Sequence, residues 1–377
     1  MKKFRLLAPG PTEVPPEVLL AMARPVIHHR TPEFEALFAE VRRGLQWLFQ
    51  TQREVLILAA SGTGAMEGAV VNACSPGDRV LVIRGGKFGE RWAEICQAHG
   101  LSVIPVEIPY GKAVDPRQVA AALRKDPGIV AVFATHSETS TGVLHDLEAI
   151  AAIVRQTPAL LVVDAITSLA VVDLPTDAWG VDVVIAGSQK AMMLPPGLAF
   201  ACLSDRAWAA AERARLPRYY FNFLTERKSQ AEHQTAWTPA VSLIAGLKAA
   251  LDLLQAEGLA ASFARHERLA QATRAAVTAL GLTLFAERPS PAVTAVKVPE
   301  GVDGDAIVRV LRDTHGISIA GGQGSMKGKI FRIATLGYAD AYDVLTGIAA
   351  LEFTLAELGY PVRLGDGLHA AQDVLQK

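Results

Sequence analysis

The chain has 377 residues, 50% hydrophobic and 20% charged, and its 37 Lys and Arg against 38 Asp and Glu leave a formal net charge of −1. So apolar a composition excludes a disordered or fibrous chain and supplies a large core. The balanced charge lacks the electrostatic footprint of a nucleic-acid or anionic-membrane binder, so neither partner is expected.

Targeting and redox signals are equally plain. Leu160–Leu174, one of the longest apolar stretches, is interrupted by Asp164 and Asp173 and is too short and polar to span a bilayer. Met1-Lys2-Lys3-Phe4-Arg5 is charged but lacks the apolar run of a signal peptide. Cys74, Cys96 and Cys202 are far apart with no CxxC, which reads as reduced thiols and not as a disulfide framework or a metal site. A soluble cytoplasmic protein is the expectation.

In chain order, the first strong pattern is helical: Phe34, Leu37, Phe38, Val41, Leu45 and Leu48 lie on one stripe. Strands are then predicted at Val55–Leu58, Val80–Ile83, Val103–Val106, Ile129–Ala134, Leu160–Asp164, Val183–Ala186 and Leu198–Leu203. Their apolar runs are continuous and not alternating, which predicts strands covered on both faces. Helical patterns such as Glu90–His99 and Leu147–Arg155 separate them, and the alternation argues for an α/β fold with a mostly parallel seven-stranded sheet between helices. The Ala-rich Ala207–Ala214 reads as a surface helix.

The order changes near Gly258. Helix Leu243–Ala256 ends at Glu257-Gly258, a C-terminal glycine signal. Helix Ser262–Leu280, strand Ala292–Val298, helix Gly304–Thr314, strand Lys329–Ala334 and helix Ala341–Leu358 follow. This predicts an N-terminal segment over 1–20, a large domain over 21–257 and a smaller α+β domain over 258–377. The alternative is that the first sheet simply continues.

Chemistry concentrates in two charges. Lys190 closes Gly187-Ser188-Gln189-Lys190, directly after a buried strand, where an unpartnered lysine is awkward unless the loop is merely exposed. Asp164 ends the dense apolar run Leu161-Val162-Val163, so it must pair, cap a helix or be pushed toward its neutral form. In an open parallel sheet both lie near strand C-terminal ends, where ligands collect. A lysine and a buried carboxylate at one crevice suit pyridoxal 5′-phosphate: the amine forms the Schiff base and the carboxylate keeps the pyridine nitrogen protonated.

A third element, Ala60-Ser61-Gly62-Thr63-Gly64-Ala65-Met66-Glu67, leads from a strand into a helix, where small residues and the helix N-terminus favour a phosphate. It is not a P-loop, because no Gly-Lys-Ser/Thr follows, and Gly62-x-Gly64-x-x-x-Gly68 has the wrong spacing for a dinucleotide fingerprint.

These residues resemble the class V, fold-type I pyridoxal-phosphate aminotransferases of the alanine–glyoxylate/serine–pyruvate group. The resemblance covers nearly the whole chain. It is carried by Pro9-Gly10-Pro11-Thr12, Ser61-Gly62-Thr63-Gly64, Phe88-Gly89-Glu90-Arg91, Thr139-Ser140-Thr141-Gly142, Val163-Asp164-Ala165, Gly187-Ser188-Gln189-Lys190, Pro195-Pro196-Gly197, Thr238-Pro239 and Phe331-Arg332-Ile333, in that order. It implies that Lys190 is the Schiff-base lysine and proton shuttle, that Asp164 pairs with the pyridinium nitrogen and that Ile166 lies under the ring. Phe88 would stack on the cofactor, Thr139 would bond its ring hydroxyl, and Thr63, Gly64, Ala65 and Gln189 would hold its phosphate.

The resemblance further implies a homodimer in which Thr235 and Thr238 reach the partner's phosphate. Some relatives have larger polar or aromatic side chains at Ala65 and Thr235, which leaves backbone contacts there. Arg332 would bind the substrate carboxylate, with Gly10 beside it and Gly321-Gly322-Gln323-Gly324 as a flexible loop nearby. His28, His29 and Arg30 would border the entrance, while His136 reads as a hydrogen-bonded structural histidine. The implied reaction is a ping-pong transamination through pyridoxamine phosphate, between alanine or serine and glyoxylate or pyruvate.

Other class V donors (2-aminoethylphosphonate, ureidoglycine, aspartate) remain open. A cysteine desulfurase-like lyase would typically need a histidine before the lysine and a mobile-loop cysteine, whereas Gln189 precedes Lys190 and no cysteine follows Cys202. The missing GxGxxG argues against a nicotinamide oxidoreductase. Retention of both Lys190 and Asp164 argues against a non-catalytic scaffold.

Overall fold

The computed structural model describes residues 3–376. Its strands run β1 (Arg5–Leu6), β2 (Val55–Ala60), β3 (Arg79–Arg84), β4 (Ser102–Glu107), β5 (Ile129–Thr135), β6 (Ser137–Glu138), β7 (Val143–Leu144), β8 (Leu160–Asp164), β9 (Val183–Gly187) and β10 (Gly197–Leu203), followed by β11 (Val293–Lys297), β12 (Ile317–Ser318), β13 (Ala320–Gly321) and β14 (Ile330–Ala334). The central sheet has seven strands in the order β2-β10-β9-β8-β5-β3-β4. It is parallel except for β10, which runs antiparallel to both β2 and β9.

Side-chain alternation turns the continuous apolar runs into two cores. On β8, Leu161 and Val163 join one apolar cluster with Phe34, Phe38 and Leu247, while Leu160 and Val162 join the other with Met66, Trp92 and Phe133. Both faces are therefore buried, as the runs predict. The exception is β4, an edge strand in which Val106 is the one buried residue. Pro105 explains its place: a residue without an N–H is tolerated where no further strand has to be paired. The Ala-rich stretch also departs from a plain surface helix, since helix Asp205–Arg213 buries Ala207, Trp208 and Ala211 against the sheet.

Four N-terminal helices frame the sheet's first half: α1 (Pro16–Met22), α2 (Pro32–Leu48), α3 (Gly62–Ala73) and α4 (Lys87–Ala98). Of these, α3 leads from β2 and α4 from β3, which sets both helix N-termini at the C-terminal edge of the sheet. Among the described residues no helix is long and apolar enough to cross a membrane.

The C-terminal part is built on a three-stranded antiparallel sheet, β11-β14-β13. It is reached through helices Val241–Glu257 and Leu259–Ala279, which share Gly258. The sequence pattern opens the second helix only at Ser262, but Gly258, with φ +82°, turns the chain within one residue and its carbonyl accepts from Ser262 N–H at 2.9 Å. A side chain would be strained at that φ. The N-terminal arm is tied to this part: β1 pairs in parallel with β12, and Ala334 N–H donates to the Leu7 carbonyl at 2.7 Å. Beyond Leu7 the arm turns toward the ends of the central strands.

Candidate active site

Asp164 is the last residue of β8 and is 3% exposed. Ile166 N–H donates to its Oδ1 at 2.8 Å, and His136 N–H donates to its backbone carbonyl at 2.9 Å. Burial pushes its carboxyl up to about 7, against the Ile166 N–H bond; the Glu138 charge also raises it, while Lys190 and Arg91 pull it down.

Lys190 sits three residues past the end of β9, in a turn fixed by Ser188. The Ser188 hydroxyl donates to the Pro195 carbonyl at 2.7 Å and accepts from Leu198 N–H at 3.2 Å. Thr12 Oγ1 donates to the Lys190 carbonyl at 3.0 Å, and Lys190 Nζ donates to the Pro9 carbonyl. Gly10, at φ +133°, lies so close that a Cβ there would stand 2.5 Å from Nζ. Burial lowers the lysine to about 8, with Asp164 opposing the shift and Arg332 and Arg91 adding to it. The acid and the base are thus drawn toward the same pH range, which suits proton transfer at neutral pH.

Arg332 lies in the middle of β14 and is 4% exposed. Its Nη1 donates to the Thr139 carbonyl at 2.9 Å, and its Nε and Nη2 donate to the Gly321 carbonyl at 3.1 and 2.7 Å. Among the described residues no carboxylate is within ion-pair distance of it. Burial lowers it to about 10, so it keeps its charge at neutral pH. A buried guanidinium held by neutral carbonyls is a ready partner for an anionic ligand.

Thr63, Gly64 and Ala65 form the first turn of α3, whose N-terminal residue Ser61 supplies no side-chain cap. Gly64 N–H donates to the Ser61 carbonyl at 2.8 Å, and with no side chain capping the turn its N-terminal end is left to favour an anion. Gln189 comes up beside this turn: a Cβ on Gly187 would lie 3.1 Å from Gln189 Oε1 and 3.5 Å from Gly62 N, and Oε1 is buried without a partner. Ile166 closes against Gly62, where any Cβ would collide with its Cδ1. Phe88 opens α4, its N–H donating to Glu138 Oε2 at 3.1 Å. Thr139 and Thr167 share a hydroxyl–hydroxyl hydrogen bond of 2.7 Å.

The structure therefore groups Lys190, Asp164, Arg332 and Gly10 with the α3 turn, Gln189, Ile166, Phe88 and Thr139. Thr235 and Thr238 make no bond with any of them. Thr235 is buried, its hydroxyl donating to the Trp237 carbonyl, and Arg30 binds its own carbonyl at 3.2 Å. Thr238 is exposed and lines, with His28 and His29, a surface groove of about 490 Å³. His136 is buried; its Nδ1 lacks a partner and burial lowers it to about 3, so the ring is neutral.

Sequence reasoning gave no role to two charged residues here, although Arg91 stands in the Phe88–Arg91 motif. Glu138, 1% exposed, accepts from Phe88 and Gly89 N–H at the start of α4 and from the Ser140 hydroxyl. Arg91 places its guanidinium 4.9 Å from the Phe88 ring centroid. The i, i+3 spacing of Phe88 and Arg91 was the available signal, since it puts both on one helix face.

A lysine whose burial brings its loss of a proton down to about pH 8, a buried acid, a helix N-terminus with an orphaned amide oxygen beside it, and an aromatic ring together fit pyridoxal 5′-phosphate. Lys190 would take its aldehyde carbon, Asp164 its ring nitrogen, and Thr63–Ala65 with Gln189 its phosphate. The fold and this residue set define a pyridoxal-phosphate-dependent enzyme of fold type I. The chain belongs to the class-V aminotransferases, whose family model matches residues 6–339. It is 50% identical to a protein named soluble hydrogenase, small subunit, of Synechococcus sp. (strain PCC 6716), covering 99% of this chain and 98% of that one. Identity is 43% to the L-aspartate–glyoxylate aminotransferase of Paracoccus denitrificans (strain Pd 1222), over 98% and 95%. The ureidoglycine–glyoxylate aminotransferase structure from Bacillus subtilis superposes with a TM-score of 0.95 at 31% identity, covering 100% and 99% of the two chains.

Proposed function

We propose that this aminotransferase moves the amino group of a small donor, alanine or serine, to glyoxylate or pyruvate, in two half-reactions that share one site. The observation that carries the reading is the meeting of Lys190, Asp164 and Arg332 in one buried place. Glyoxylate also stands in the names of several of the matched proteins.

Bound pyridoxal 5′-phosphate supplies the electron sink for the substrate carbanion and carries the amino group between the half-reactions. Arg332 binds the substrate carboxylate and so orients the Cα–H bond. Lys190 Nζ, whose proton burial makes easier to give up, takes the proton from Cα and returns it. With the cofactor in place, Asp164 would set its carboxylate against the ring nitrogen, in a place too dry for water to screen the pair. Gly10 leaves Lys190 room to swing.

The second element of the proposal is a homodimer. Thr238, His28 and His29 line an outward groove, and Tyr219 and Trp237 stack at 5.0 Å on the surface nearby, with Tyr219 78% exposed. An apolar, aromatic face of this kind fits a second copy of the chain. Three buried, unbridged cysteines suit a reducing compartment such as the cytoplasm.

The purified protein is expected to be yellow, to bleach on borohydride treatment, and to lose its absorbance band on addition of the true donor. Rates over Michaelis constants for alanine, serine, aspartate and ureidoglycine, against glyoxylate and pyruvate, identify the substrates. Lys190→Ala is expected to lower turnover by roughly 10⁴-fold or more. A variant that keeps wild-type turnover would refute the role of Lys190. Sedimentation as a monomer at micromolar concentration would refute the dimer.

A further inference from the structure

Resting on the cofactor site just described, we infer that Arg91 supplies the fixed positive charge that receives the cofactor's phosphate.

The phosphate set implied by the resemblance, Thr63, Gly64, Ala65 and Gln189, carries no formal charge. A phosphate monoester bears roughly −1.5 to −2 charges near neutral pH, and a helix N-terminus offsets only about half a charge. The other two cations of the site are engaged elsewhere: Lys190 reaches the Pro9 carbonyl, and Arg332 is pinned to Gly321 and Thr139.

Arg91 is placed to make up the difference. It rises from α4, not from the phosphate-facing helix itself, and its Nη1 donates to Thr63 Oγ1 at 3.1 Å. Thr63 stands in the uncapped first turn of α3, so the guanidinium is delivered to the same turn that offers its N–H groups. The Phe88 ring under the guanidinium fixes its plane and leaves its edge donors free to turn toward an anion.

The neighbouring acids do not neutralise it. Glu90 binds Lys87 at 2.5 Å and Tyr110, Glu138 binds the N–H groups of Phe88 and Gly89, and Glu94 is exposed one turn further on. Among the described residues Arg91 has no carboxylate within ion-pair distance, yet its charge is felt by both Asp164 and Lys190.

The test is a titration of cofactor-free protein with pyridoxal 5′-phosphate and, separately, with pyridoxal, which lacks the phosphate. Arg91→Gln is expected to weaken the phosphorylated ligand by about 10- to 100-fold while leaving pyridoxal within about twofold. Arg91→Lys, which keeps a charge, should recover part of the loss. Inorganic phosphate should compete with pyridoxal 5′-phosphate for the wild type and far less for Arg91→Gln. Equal losses for both ligands would show that Arg91 only orders Phe88, and unchanged binding of both would show that it does neither; each overturns the inference. Phe88→Leu, expected to weaken both ligands alike, calibrates the ring's share. A wild-type protein that binds neither ligand would overturn the cofactor reading itself, and the assignment of Arg91 with it.

Discussion

Asp164 and Lys190 stand at the ends of neighbouring parallel strands, whereas Arg332 stands in the middle of an antiparallel strand of a different sheet. All three are buried and all three are shifted toward neutrality by that burial, yet with opposite results. The acid rises to about 7 and the lysine falls to about 8, so a proton can pass at either near neutral pH. The arginine falls only to about 10 and remains a cation. The same desolvation makes a movable proton at one end of the site and a permanent charge at the other, because the three groups start from different intrinsic values.

The sharpest way to break this contrast is Asp164→Asn, which keeps the shape and removes the charge. It is expected to lower kcat by about 10²- to 10⁴-fold, and a fall of less than tenfold would detach Asp164 from the chemistry. Arg332→Lys tests the opposite end. A point charge replaces the fork, so KM for amino acid and oxo acid should both rise about 10- to 100-fold while kcat changes less. A fall in kcat at unchanged KM would mean that Arg332 does not grip the carboxylate.

The smallest effect is a shift in pH. Lys190 has a folded value below its ordinary one, so it is charged below about pH 8 and neutral above it. The rate at which cofactor-free protein takes up pyridoxal phosphate, followed by absorbance, should therefore climb through about pH 8 and then level off. A climb centred near the ordinary lysine value would contradict the burial argument. Asp164→Asn removes the charge that holds the lysine up, so it should move that midpoint to lower pH.

Much of this was legible in the sequence. Every strand of the central sheet appears as an apolar run within two residues of its observed bounds, because burial on both faces leaves few polar positions to confuse the pattern. Asp164 and Lys190 stood out for the same reason: a charge at the end of such a run needs a partner, a cap or an exposed loop to explain it. Composition does not encode direction, and the antiparallel run of β10 emerges only from its pairing with β2 and β9. Arg332 was different again. Alone it reads as a surface ion pair, and only the family resemblance raised it. Glu138 carried no local oddity, and Arg91 only its i, i+3 spacing from Phe88, since their importance comes from what the chain folds beside them.

The N-terminal arm has a mechanical consequence. At one end β1 is paired with β12 and Leu7 is bonded to Ala334, two residues beyond Arg332; at the other the Pro9 carbonyl receives Lys190 Nζ. A few residues of chain therefore connect the strand that carries Arg332 with the amine that handles the proton. Between the β14 backbone and the lysine's resting contact stand only Leu7, Ala8 and Pro9, so the two ends of the site share one short length of chain.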